Sequence, residues 1–339
     1  MKIRYSIAGF FCFLLLSTAA LASQNSPLIS VTGLVSRPLN LSLEDLDRFQ
    51  TVHVQLNEVM KDKSYRGVFY YQGVPLREIL GLASIEKKDT DFPKNIDLAV
   101  LIRNRQGREV VLSWGEIFYR NSTDIIIANS ASPILPHKDC SSCHETDFYK
   151  PYMDVFHRPI GFPKLVVACD AYADRSLEDI VSIQVVNPRP EVPGDRSKKL
   201  FSPSFTVTGA VKKDVTVKDL SGYPRREMSI THLGEGKGFH GIQDFSGAVF
   251  KSVIRAAGIE PDLCMVFHVS APDGYRSLFS YGEVFLDKTG DRMFIADTVD
   301  GGPIEEGGKF FLIPSDDLMS DRDVKSVEKI EVLSLGKGS

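Results

Sequence analysis

Short apolar runs bounded by turn residues dominate the chain. Ile125-Ile126-Ile127-Ala128, Lys164-Leu165-Val166-Val167-Ala168 and Ile180-Val181-Ser182-Ile183-Gln184-Val185-Val186 are rich in β-branched residues and too short for helices, which predicts strands. Met293-Phe294-Ile295-Ala296, Lys309-Phe310-Phe311-Leu312-Ile313 and the run from Val327 to Leu333 predict counterparts for them later in the chain. Helical spacing is rarer. Leu76, Ile79 and Leu80 share one face of a helix expected from Pro75 to Leu82, with Pro75 tolerated in its first turn, and the stretch from Val249 to Ala257 repeats the pattern. Ser42 to Leu46 is a shorter candidate, with Ser42 placed as its cap. The balance predicts a mixed, strand-rich α+β architecture.

The pattern also repeats. Ser30-Val31-Thr32-Gly33-Leu34-Val35 recurs as Thr206-Val207-Thr208-Gly209-Ala210-Val211, and Tyr71-Gln72-Gly73 recurs as Phe245-Ser246-Gly247. Gly107, Gly115-Glu116 and Phe118 match Gly274, Gly282-Glu283 and Phe285 at a constant offset of 167. Three blocks in one order indicate an internal duplication with a period far too long for a solenoid. The expected organisation is a leader at 1–22, a first domain at 23–186, a linker at 187–203 and a second domain at 204–339. The linker is marked by Asn187-Pro188-Arg189-Pro190-Glu191-Val192-Pro193-Gly194, a polar, proline-rich and semi-rigid composition.

The leader is read from its charge and apolarity. Lys2 and Arg4 precede an apolar run from Ile7 to Leu16, and Ala20-Leu21-Ala22 supplies small residues at cleavage spacing. This predicts a secretory signal peptide cut near Ala22, hence a periplasmic or secreted protein with no membrane span in the mature chain. Losing Lys2 and Arg4 takes the formal net charge from −4 to −6. A chain of that sign offers nothing to nucleic acid or anionic lipid.

Chemistry concentrates in Cys140-Ser141-Ser142-Cys143-His144. Two thiols three positions apart can each add to one vinyl group of a porphyrin, while the adjacent imidazole binds the iron from one face. With 5 Cys and 7 His in 339 residues, chance would produce this pentapeptide on the order of once in several hundred such chains. The motif predicts covalent haem c at Cys140 and Cys143 with His144 as proximal ligand, and a redox partner protein. The Cys pair alone also suits a redox-active disulfide or half of a structural zinc site, in a secreted binding module.

The repeat isolates the motif. Pro133 to Lys164 is 31 positions and Pro303 to Lys309 is 6, so the first copy carries 25 extra residues, an insertion at about 135–160. His137, Met153 and His157 lie in or beside it. His157 is the expected distal iron ligand, because imidazole binds both ferric and ferrous iron, with Met153 the alternative and His137 a further one. An open sixth position would instead suit ligand binding or peroxidase-like chemistry. Phe148, Tyr149, Tyr152, Phe156 and Phe162 either wall the porphyrin or give the insertion its own core.

A Val-Thr-Gly strand, a Gly leading into a Leu-rich helix, the turn Asp273-Gly274-Tyr275, then Gly302-Pro303-Ile304, Glu306-Gly307-Gly308 and a strand ending at Pro314 follow in order. This order resembles the molybdopterin-binding domain of the sulfite oxidase family, across nearly all of each copy and more fully in the second. The resemblance implies two tandem sulfite-oxidase-like domains, and a molybdopterin-dependent oxidoreductase with a haem relay as an alternative function. It also implies a metal-binding Cys near Leu56-Asn57 or Thr231-His232. Neither place holds one, so the soft thiolate ligand is missing.

Other polar residues are weaker signals. Asp273, Arg276, Asp297 and Asp300 would line a pterin cleft in the second copy, or simply build turns. His232 and His240 flank Gly234, Gly236 and Gly238, a combination suited to a metal or to a surface loop. Cys169 and Cys264 suit a disulfide between the copies or two single thiols.

Overall fold

A computed structural model describes residues 28–88, 91–135 and 153–336, apart from 190, 193, 196, 198, 235, 237 and 306. The first half contains strands β1 (Ile29–Gly33), β2 (Leu39–Leu41), β3 (Val52–Val59), β4 (Tyr65–Pro75), β5 (Ala99–Asn104), β6 (Glu109–Ser113), β7 (Ile125–Pro133), β8 (Lys164–Val167) and β9 (Ile180–Val186). Among the described residues three helices join them: α1 (Leu43–Leu46), α2 (Leu76–Ala83) and α3 (Trp114–Phe118). The fold is a β-rich α+β one, as the apolar runs predict.

The strands form two sheets. One runs β2-β1-β9-β5-β6, with β1 and β9 parallel and its other pairs antiparallel; the second is antiparallel, β3-β4-β7-β8. Side chains alternate across the second sheet, so Ile125, Ile127, Leu165 and Val167 face α2 and the five-stranded sheet. Ile126, Ala128 and Val166 join Leu56, Phe69 and Tyr71 in a separate core on the opposite face. Helix α2 buries Leu76, Ile79, Leu80 and Ala83, the face its spacing predicts. Pro75 stands at the end of β4 and caps the helix rather than entering its first turn. Ser42 caps α1 through a reciprocal capping box with Asp45.

The second half repeats this order. It contains β10 (Phe205–Gly209), β11 (Val215–Val217), β12 (Arg225–Gly234), β13 (Gly238–Val249), β14 (Met265–Ser270), β15 (Arg276–Ser280), β16 (Met293–Val299), β17 (Gly302–Pro303), β18 (Phe311–Pro314), β19 (Val324–Lys325) and β20 (Lys329–Ser334). Its helices are α4 (Phe250–Ala256) and α5 (Tyr281–Phe285). The sheet β11-β10-β20-β14-β15 again has one parallel pair, β10 with β20, and β12-β13-β16-β18 matches the four-stranded sheet, with β19 added at its edge and β17 paired with β16.

Register defines the equivalent residues. Lys164 pairs with Ala128 and Phe311 with Ala296, each pair adjoining the Gly that follows a bulge, Gly73 or Gly247. Lys164 therefore corresponds to Phe311 and not to Lys309. Counted from those partners, 36 positions separate the pair in the first half and 15 in the second, so the excess is 21 residues rather than 25.

Two further points shape the molecule. After β9 the chain contacts the second half at two described positions, where Arg189 pairs with Glu331 and the Asp195 amide donates to the Pro272 carbonyl at 3.1 Å, and Ser202 is buried. Among the described residues no helix is long and apolar enough to cross a membrane.

Candidate functional site

Cys140, Cys143, His144 and His137 lie outside the described residues, as do Phe148, Tyr149 and Tyr152. The segment carrying them leaves β7 where the Ile134 amide donates to the Val68 carbonyl at 2.9 Å. It is described again from Met153. Asp154–His157 form a 3-10 turn whose Phe156 is buried against Phe69 and Tyr65, with ring centroids 6.0 and 6.5 Å away. Phe156 thus serves the core of the first half, and Phe162 and Met153 pack half-buried on the same cluster. His157 is exposed.

Directly after that turn the chain enters a buried ionic cluster. Arg158 Nη2 meets Glu58 Oε2 at 2.5 Å, and Nη1 lies 2.8 Å from Glu178 Oε1. Lys164 Nζ donates to Glu58 Oε1 at 2.5 Å, to the Tyr71 hydroxyl at 2.8 Å and to Glu178 at 3.3 Å, and sits 4.6 Å from the centre of the Tyr71 ring. Burial pulls the Lys164 ammonium below its ordinary value, and Glu58 opposes that pull. Burial also disfavours ionised Glu178, yet Lys164, the Gly161 amide and Arg158 outweigh it and hold the carboxyl low. The cluster closes a recess of about 200 Å³ bordered by Met60, Arg108 and Ser176.

The equivalent place in the second half is a cavity of about 510 Å³. Asn57 faces Val68 and Thr231 faces Ile242 at the same distance from Gly73 and Gly247, so Glu58 corresponds to His232. Ser176 and Asp323 follow the matching 3-10 turns Ala173–Arg175 and Ser320–Arg322, and Glu178 and Lys325 stand two residues further on. The cavity is thus lined by Phe311, His232, Asp323 and Lys325, together with Tyr275 and Asp273. His232 Nδ1 is 3.8 Å from Asp323 Oδ2, too far for a hydrogen bond, and neither Asp323 Oδ2 nor His232 Nε2 has a partner. Burial, then Lys325 and His240, push the His232 imidazole down. Burial, then Asp317, push the Asp323 carboxyl well above its ordinary value against Lys325 and Arg322.

The two halves meet along a seam of exchanged arginines. Arg175, fully buried, grips Asp170 at 2.7–2.8 Å and reaches across to Ser280 Oγ at 3.2 Å, with Glu116 Oε2 at 2.8 Å. Arg322 does the same with Asp317 at 2.6–2.7 Å, Glu283 at 3.1 Å and Ser113 of the first half at 3.2 Å. Ser113 and Ser280 are the caps of α3 and α5, each in a capping box with Glu116 or Glu283. Gly115 and Gly282 let the guanidinium of the other half lie against the helix, since a Cβ would meet Arg322 at 2.2 Å or Arg175 at 2.0 Å. Ala171 donates to the Leu286 carbonyl and Leu318 to that of Tyr119, again equivalent bonds. Arg120 meets Asp287, its own equivalent at the offset of 167, at 2.6 Å. Ala99, Leu101 and Val111 pack on Cys264, Val266 and Leu278 beside this network.

No family model matches the chain, and no curated relative matches it. Among solved structures it is similar to the sulfane dehydrogenase SoxCD from Paracoccus pantotrophus, at 14% identity and a TM-score of 0.34, covering 91% of this chain and 77% of that one.

The remaining expectations resolve locally. Asp273 caps the Tyr275 amide at 3.0 Å, and Asp300 that of Asp244 at 2.9 Å, while Asp297 pairs with Arg225 at 2.6 Å; these are turn and strand chemistry. Only Asp273 of the four borders the cavity. Arg276 belongs to the seam, where it binds Asp97 of the first half at 2.9 Å. Cys169 and Cys264 are free thiols, not a disulfide. Neither lines the cavity, where the position expected for a thiolate holds His232. That donor set does not fit the molybdenum ligation the family resemblance implies. Among the described residues no cluster of three or more His, Cys, Asp or Glu could hold a metal ion.

Neither Arg175 nor Arg322 carries a local sequence signal of its own. Arginine usually reads as surface, but Asp-x-x-x-x-Arg at 170–175 recurs at 317–322, an offset of 147 that marks it as part of the repeat.

Proposed function

We propose that the chain is an exported monohaem c-type cytochrome, built on two tandem sulfite-oxidase-like domains, that passes electrons to or from a partner oxidoreductase. The observation that carries this reading is Cys140-Ser141-Ser142-Cys143-His144 standing in the segment by which the first half exceeds the second. Cys140 and Cys143 would hold the porphyrin through thioethers, and His144 would bind the iron. When bound, the haem supplies reversible one-electron transfer. His157 is the preferred distal ligand and Met153 the alternative.

The seat of the segment supports the reading. Phe156 is locked in the core and Arg158 in two ion pairs, so the residue between them, exposed His157, leaves a rigid base. A ligand held on such a base needs little reorganisation when the iron changes charge. The ionic cluster beneath it also fills the recess of the first half with protein charge, which argues against a second large cofactor there.

The decisive experiment is expression with haem maturation, followed by peroxidase staining of a denaturing gel and mass measurement. A stained band whose mass equals the chain from about Ser23 plus one haem is expected. A colourless band of unmodified polypeptide mass would overturn the proposal and leave the Cys pair as a disulfide or zinc clip.

A further inference from the structure

The recess of the first half contains its own ammonium. Lys164 is held there by two carboxylates, Glu58 and Glu178, against the face of Tyr71. In the second half each of these positions has changed: Lys164 to Phe311, Glu58 to His232, Glu178 to Lys325 and Tyr71 to Phe245. Aromatic walls and a buried carboxyl remain, the carboxyl now supplied by Asp323 from the position of Ser176. The Lys164 ammonium does not remain, and the cation of this cavity, Lys325, enters from the position of Glu178 instead.

Asp323 is the unusual group. Its side chain is 9% exposed, it borders the cavity, and its Oδ2 has no hydrogen-bond partner. A buried carboxyl in that state is costly and gains most from a charged donor. Asp273 also borders the cavity, whereas Asp321 is engaged by Lys94 at 2.5 Å. Lys325 is the one Lys or Arg among the described lining residues, and it lies over the Phe311 ring at 5.7 Å. A metal ion is disfavoured because His232 and Asp323 offer two donors and no cluster of three exists among the described residues. The volume of about 510 Å³ falls in the range of small-molecule sites.

We infer that this cavity binds a small organic ammonium ion, whose N–H groups donate to Asp323 while its charge lies against Phe311, in the place that the first half fills with Lys164. Carboxylate plus aromatic face is a chemistry that recognises such cations.

Binding has a proton signature. Asp323 is faced by His232 from β12, by Lys325 from β19, by Arg322 and Asp321 beside it and by Asp317; burial, with Asp317 and Asp321, outweighs Lys325 and Arg322 and holds its carboxyl well above the ordinary value. An arriving ammonium favours the carboxylate, so the proton of Asp323 leaves to solvent as the ion pair forms.

The test is calorimetric titration of the full mature protein with benzylammonium and butylammonium chloride, with sodium benzoate as the anionic control. Saturable one-to-one binding of an ammonium probe, no binding of benzoate and at least a tenfold weaker affinity in Asp323→Asn are expected. Repeating the wild-type titration near neutrality in buffers of different ionisation enthalpy should show proton release, a readout that needs no variant to fold. Absence of saturable ammonium binding, equal binding of benzoate, an unchanged affinity in a folded Asp323→Asn, or binding without proton release would each overturn the inference.

Discussion

The seam and the two recesses treat the internal repeat in opposite ways. At the seam, Arg175 and Arg322, Asp170 and Asp317, Ser113 and Ser280, and Gly115 and Gly282 perform the same tasks in each half. At the recesses, hardly any position keeps its chemistry: a lysine faces a phenylalanine, a glutamate a histidine, a serine an aspartate. The seam is a reciprocal contact, so a change on one side must be met on the other. A recess answers only to its own half. Identity is preserved in the arginine clamps of the seam, where each half constrains the other, and lost at the recesses, where one half can change alone, so the recesses are where a difference in function should be sought.

The largest test of that comparison is at the seam. Arg175→Ala and Arg322→Ala each strand buried carboxylates, and each should cost about 3–5 kcal/mol in urea unfolding. A loss below about 1 kcal/mol in one but not the other would show that the seam is not reciprocal in energy.

The recesses should differ in the sign of their pH response. Glu178 is held low in the folded state, so its contribution is present above its unfolded value and is lost as pH falls through the folded one. Glu178→Gln should then be less stable than the parent near neutrality and similar to it in acid. Asp323 is held high, so its contribution is present in acid and is lost as pH rises from 3.8 towards its folded value. Asp323→Asn should gain on the parent as pH rises. Denaturant midpoints measured from acid to neutrality check both, and slopes of the same sign would break the contrast.

The smallest stability effect is expected at His157. It is exposed, so His157→Ala should change stability by no more than about 0.5 kcal/mol. In the haem-loaded protein the same substitution should nevertheless move the spectrum from low spin towards high spin. An unchanged spectrum would transfer the distal role to Met153, His137 or another group.

Much of the fold is legible in the chain because β-branched runs have few alternatives. Ile180–Val186 forms a strand over the expected residues, and α2 buries the expected face. Edges are less legible. Lys309 reads as the start of a strand by analogy with Lys164, but Lys164 is a buried ion-pair partner, and the strand it matches begins at Phe311. Helices α3 and α5 escape a periodicity search because five residues make little more than one turn; Ser-x-x-Glu is their signal. The site is legible only in part. A pentapeptide carries the haem expectation on its own, whereas the cavity depends on Phe311, Asp323 and Tyr275, which lie on separate elements and carry no local pattern.

Arg120 and Asp287 occupy the one described ion pair whose two members are each other's counterparts. In an assembly of two identical halves such a position can only set like against like, arginine on arginine or aspartate on aspartate. Two halves in one chain escape that restriction, and the match of opposite charges gives each half a preferred mate. If molecules of this protein ever exchange halves, the exchange should join a first half to a second and never a half to its own kind.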